Sequence, residues 1–185
     1  GVRQVPNYQG KKYHLATDTW TLMSTNGAPA GVTDHIAVWS GANLIVWGGY
    51  SYDFDDFIGY LPSPTSTGAR YIPGADTWIP LAANGATPRA DHAAVWTGTQ
   101  MIFWGGQDAL NAQLGDGLRY TLASDSWSTM ATPPASGEPS ERSQATAVWT
   151  GSSVIVWGGF NNATTLRAGG IYTPGAGWTN TPDGG

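Results

Sequence analysis

Two short segments alternate along this chain and between them contain every tryptophan it has, which restricts the fold more than any other feature. The first occurs three times, as AVWSGANLIVWGG at 37–49, AVWTGTQMIFWGG at 94–106 and AVWTGSSVIVWGG at 147–159. The second occurs four times, as GKKYHLATDTW at 10–20, GARYIPGADTW at 68–78, GLRYTLASDSW at 117–127 and the shorter GGIYTPGAGW at 169–178. The ten Trp fall into three positional classes: Trp39, Trp96 and Trp149; Trp47, Trp104 and Trp157; and Trp20, Trp78, Trp127 and Trp178. A repeat of this length is one supersecondary unit that cannot bury its apolar surface alone and must stack on copies of itself.

The first segment predicts a hairpin. Two runs of β-branched and aromatic residues flank a four-residue turn carrying Gly41, Gly98 or Gly151, where a positive φ costs little. Apolar residues occupy both parities, as in Leu44-Ile45-Val46-Trp47, so each sheet is expected to be covered on both faces by its neighbours. The pairs Gly48-Gly49, Gly105-Gly106 and Gly158-Gly159 mark close backbone approach at the end of the second strand. The second segment supplies a third and a fourth strand, Tyr71-Ile72 and Trp78-Ile79 in one copy, joined by Pro73-Gly74-Ala75-Asp76. Asp18, Asp76 and Asp125 are read as turn formers, and the Trp classes as packing between sheets.

Composition narrows the class. Only 11% of residues are charged, beside 26 Gly and 12 Pro, which suits many short strands and turns in an all-β domain. The net charge is −5 and the 8 Lys and Arg are scattered, so neither nucleic acid nor an anionic membrane surface is expected as a partner. Without cysteine there is no disulfide, thiolate metal site or Cys nucleophile.

The doublet Gly48-Gly49, followed by Tyr71 and then Trp78, resembles the kelch repeat, and the resemblance covers nearly the whole chain. WD40 repeats differ, since no Trp-Asp occurs and the order at 76–78 is Asp-Thr-Trp. The resemblance implies an all-β, kelch-type β-propeller segment of three complete four-stranded blades plus a half blade. The half blade spans 10–22 and the blades approximately 34–81, 91–131 and 144–181. Propellers close with about 4–8 blades. Together with an opening Gly1, this leads to the expectation of a fragment of a longer polypeptide or a ring-sharing subunit. Its partners would be further blades from the same longer chain or from other copies.

Eighteen residues separate Gly49 from Gly68, against ten and nine at the matching places, so the first blade carries an insertion. It reads Tyr50-Ser51-Tyr52-Asp53-Phe54-Asp55-Asp56-Phe57 and is expected to be an exposed loop. Tyr50, Tyr52, Asp53, Asp55, Asp56 and Phe57 are candidate ligand-binding residues, with packing of the aromatics on the next blade as the competing reading. The three Asp offer hard oxygen ligands, but Ca²⁺ needs six to eight and no EF-hand spacing follows, so no metal is expected. At the crossings between blades, the resemblance implies that Arg89 and Arg142 line a central pocket, where a guanidinium suits carboxylates. Val32 stands at the matching place in the first blade, and His35 and His92 are matched by Ala145.

Kelch propellers include galactose-oxidase-type copper oxidases and sialic acid isomerases. The former need a Tyr-Cys cross-link that this chain cannot form, and the only two glutamates, Glu138 and Glu141, sit together on one crossing. No catalytic residue and no cofactor is therefore expected. The functional expectation is a non-catalytic binding or scaffolding module of a larger exported or cell-surface protein, with a protein or glycan ligand. The alternatives are an assembly subunit completing a ring or filament, or part of a kelch-type enzyme whose catalytic residues lie mostly elsewhere.

Overall fold

The computed structural model describes residues 9–55, 59–130, 137–162 and 164–181. Three antiparallel four-stranded sheets follow one another, each with its strands in sequence order. The first holds Ile36–Trp39, Leu44–Trp47, Gly68–Ile72 and Thr77–Pro80. The second holds Ala93–Trp96, Gln100–Trp104, Gly117–Thr121 and Ser126–Thr129, and the third Thr146–Trp149, Val154–Trp157, Gly169–Thr173 and Gly177–Asn180. A two-stranded pair, Lys11–His14 with Thr19–Leu22, precedes them. The described residues contain no helix. First strands of adjacent blades lie side by side without pairing, which makes them the inner strands about which the blades radiate. This is a kelch-type propeller segment of three full blades and a half blade.

Local chemistry explains the repeat. In each hairpin turn a hydroxyl accepts from the amide three residues on and donates to the same residue's carbonyl, at 2.9 and 3.1 Å for Ser40 with Asn43. Gly41 between them has φ +90, as the turn requires. The Trp47 class stands opposite a glycine on the third strand, Gly68, Gly117 or Gly169. A Cβ at Gly117 would lie 2.9 Å from the indole of Trp104, so the ring occupies the space a side chain would take. At the second glycine of the doublet, Gly106 has φ +96 and a Cβ there would meet the Ala90 carbonyl oxygen at 2.6 Å. Gly106→Ala is expected to lower stability by about 2 kcal/mol or more, from left-handed backbone plus this clash, read by urea denaturation.

Blade faces pack through two clusters. Ile45, Trp47, Met101, Phe103, Leu118 and Tyr120 are buried between the first and second blades, with Trp47 stacked on Phe103 at 4.2 Å. Ile102, Trp104, Met130, Val154, Val156, Tyr172 and Trp178 fill the space between the second and third. Polar clasps reinforce both sides of the first blade. The indole N–H groups of Trp78 and Trp127 donate to Ser24 and Ala82 carbonyls of the preceding unit, at 3.0 and 2.8 Å. Asp76 and Asp125 accept from the amides of the same Ser24 and Ala82, and also from the hydroxyls of Tyr71 and Tyr120. These aspartates form their turns in the left-handed region, at φ 49 and 46, and in addition tie blade to blade. Asp125→Ala is expected to cost about 1–3 kcal/mol by leaving both donors unpaired, a loss visible in the denaturant midpoint.

The exposed indoles are those whose neighbour in the repeat is missing. Trp20 and Trp39 are 64% and 54% exposed and Trp157 40%, whereas Trp47 and Trp104 are each 1% exposed. Between the opening pair and the first blade lies an apolar groove of about 640 Å³, lined in part by Met23, Ala37, Leu44, Val46 and Trp78. In complete blades this position beside the third strand is taken by the first two strands.

The insertion forms a hairpin where a loop was expected. Tyr50–Asp55 pairs with Gly59–Pro64 on one side and with Val32–Thr33 on the other. Alternating aromatic and polar residues suit a strand, and the crossing segment before the first blade offers a free edge to extend.

Candidate ligand site at the axial end of the blades

Each blade begins with a residue in the left-handed conformation just before its inner strand: Asp34 (φ 52), Asp91 (φ 55) and Gln144 (φ 57). Each glycine doublet is followed by a residue turned toward the same end: Tyr50, Gln107 and Phe160. Radial stacking brings these two series together. The Gln144 amide donates to the Asp91 carbonyl at 2.8 Å. The Gln107 side-chain N–H groups donate to Asp91 Oδ2 at 2.9 Å and to the Tyr50 hydroxyl at 2.7 Å. One hydrogen-bonded chain thus joins residues of three blades. Burial, with the Asp34 charge adding, pushes the Asp91 carboxyl above its ordinary range against the opposing pull of Gln107 and Gln144. Burial likewise raises the Tyr50 phenol.

Beside this chain, between the second and third blades, lies a depression of about 390 Å³. Gln107, Asn111, Gln113, Ser143, Gln144, Phe160 and Asn162 line it. Gln113 bridges its rim, accepting from the Asn162 amide at 3.3 Å and donating to the Asn111 carbonyl at 3.2 Å.

Of the residues singled out from sequence, Tyr50 reaches this cluster. Tyr52 faces away: its hydroxyl meets Thr33 Oγ1 at 3.1 Å and its ring borders the apolar groove. Asp53 and Asp55 lie on the inserted strand, and Asp56 and Phe57 fall outside the described residues. Arg89 and Arg142 are buried, at 0% and 3% exposure, and their forks turn into the protein. Arg89 Nη1 and Nη2 grip the two oxygens of Asp116 at 2.8 and 2.9 Å, while Nε donates to the Thr87 carbonyl and Nη1 to that of Gly105. Arg142 makes the matching bonds to the carbonyls of Ser140, Gly158 and Ala168, but Ala168 stands where the second blade has Asp116. The resemblance to pocket-lining arginines does not carry over, because these crossings bury backbone carbonyls that need the same donors.

His92 is buried too, edge-on to Trp47 and Phe103 at 5.1 and 5.5 Å, with neither ring nitrogen bonded among the described residues. Burial, aided by the charges of Arg89 and His35, pushes its pKa down to about 3. It stays neutral in the fold, while an unfolded chain takes up a proton near pH 6.5. Stability is therefore full above pH 6.5 and falls as pH drops from there toward 3, at up to about 1.4 kcal/mol per pH unit. Urea titrations at pH 7.0 and 5.5 are expected to show this slope, and His92→Leu to flatten it.

The comparisons with known proteins agree with the geometry. A family model described as the Attractin/LZTR1 beta-propeller matches residues 4–167. Kelch domain-containing protein 3 of Homo sapiens and its Bos taurus counterpart are each 26% identical over 152 residues, 80% of this chain and 39% of theirs. The chain thus spans about two fifths of the length of these curated relatives. The solved structure of YjhT superposes with a TM-score of 0.69 over 90% of this chain and 56% of that one, at 14% identity, a likeness of fold alone. With matching repeats, blades radiating from their first strands and a family model covering most of its length, the chain belongs to the kelch-type Attractin/LZTR1 β-propeller family.

Proposed function

We propose that this chain is a non-catalytic recognition module whose ligand docks at the axial end of the blades, over Tyr50, Gln107, Gln144 and Phe160. Kelch propellers generally serve interaction, and the observation that carries the reading is the convergence of crossing residues from three blades beside an open depression. Side chains held on rigid inner strands and tight turns are preorganised, so binding loses little ordering entropy. A protein or glycan is the ligand class, and an exported or cell-surface parent is the setting that suits it. Screening the chain against immobilised glycans and a random peptide library, with Tyr50→Ala/Phe160→Ala as the blank, tests this. Binders retained by the wild type alone are expected; binders held equally by the blank remove the axial site.

A second reading, assembly, is favoured by the groove of about 640 Å³ and by the edge of Lys11–His14, which is unpaired among the described residues. Further blades, from a longer chain or from another copy, would cover it. Sedimentation of the chain across a wide concentration range reads this directly, and a monomer at every concentration excludes assembly from copies.

A further inference from the structure

We propose that the depression between the second and third blades takes a neutral carbohydrate unit, which deepens, and rests on, the recognition reading above. Its lining carries no ionised side chain: four carboxamides from Asn and Gln besides Gln144, one serine and one aromatic ring. A carboxamide presents a donor and an acceptor side by side, the pattern that adjacent sugar hydroxyls require. The side chains of Asn111 and Asn162 make no hydrogen bond to other described residues, so both are available to a ligand. Phe160, 37% exposed, offers a face on which the apolar side of a sugar ring can lie.

Charge decides the class. Blade three departs from both predecessors at one place in this series: Gln144 stands where the others have Asp34 and Asp91. Asp tolerates the left-handed backbone better than Gln, so position 144 gives up local ease for an uncharged amide. The Asp91 carboxylate, bonded to the lining residue Gln107, places negative charge beside the lining. An anionic sugar or an acidic peptide is repelled there, and no fixed cation faces it among the lining residues. The volume lies at the low end of ligand pockets, about 300–1,000 Å³, which suits a short unit.

An array of neutral, acidic and amino oligosaccharides, read beside a peptide array and followed by titration calorimetry of the strongest hit, tests the proposal on the full chain. Neutral oligosaccharides are expected to bind, and Phe160→Ala and Asn162→Asp each to weaken them at least tenfold with the thermal midpoint unchanged. Asn162→Asp keeps a residue suited to its backbone, φ 52, so it separates lost binding from lost folding. Capture of acidic glycans or peptides with the same sensitivity to both variants overturns the ligand class and leaves the axial site standing. Capture of nothing, or of ligands indifferent to both variants, overturns the site as well.

Discussion

Trp47→Ala is expected to lower stability by about 3–5 kcal/mol, and Trp104→Ala by as much, because each removes a fully buried indole and leaves a cavity between blades. Trp47 loses its stack on Phe103 and its approach to Trp127 at 5.8 Å; Trp104 loses its edge contact with Trp178 at 5.8 Å. For a domain of this size the thermal midpoint falls by roughly 6–20 °C. Trp157→Ala changes the same repeat position and is expected to cost about 1 kcal/mol or less, since 40% of that residue already meets water. Thermal unfolding followed by circular dichroism gives all three values. Equal losses at the three positions would contradict the assignment of Trp157 to an uncovered face.

Arg89→Met is expected to cost about 3–5 kcal/mol despite its near-conserved volume. Asp116 is half exposed and recovers its hydration, so the loss does not come chiefly from the carboxylate. It comes chiefly from the carbonyl of Gly105, which keeps no donor in a buried crossing. The third blade supplies the control: Arg142 serves the same carbonyl positions without a carboxylate, and burial lowers its pKa. Ala168→Asp, which restores the missing counter-charge, is expected to gain about 1 kcal/mol, and Asp116→Ala to lose a similar amount. Urea denaturation of the three variants reads the series. If Arg89→Met proves as mild as Asp116→Ala, the guanidinium is not the donor set of the crossing.

Much of the architecture was legible because the blade repeats its chemistry. Tyr71 and Trp78, the glycine doublets and the hydroxyl-and-glycine turns recur at fixed offsets, and offsets are local information. The axial site was not legible in the same way. Gln107, Gln144, Asn111 and Asn162 look like ordinary polar residues on connections, and only radial stacking makes neighbours of positions some 50 residues apart. A signal did exist: alignment on the doublet puts Tyr50, Gln107 and Phe160 in one column and Asp34, Asp91 and Gln144 in another. Arg89 shows the opposite failure, since its type and spacing suited a pocket but its partner Asp116 lies 27 residues on, across the sheet. The inserted segment, read as a loop for its length, carried a two-residue alternation that its strand pairing uses.

The clasps between blades all point one way. Trp78 and Asp76 reach back to Ser24, and Trp127 and Asp125 to Ala82, so the fourth strands of the first and second blades close on residues made about 43–54 positions earlier. During synthesis, at about 5–20 residues per second, the docking surface for a new blade has left the ribosome before the blade itself is finished. Assembly can therefore proceed like a ratchet from the N-terminal side, each arriving unit locking its predecessor within seconds and leaving only the newest face to be shielded.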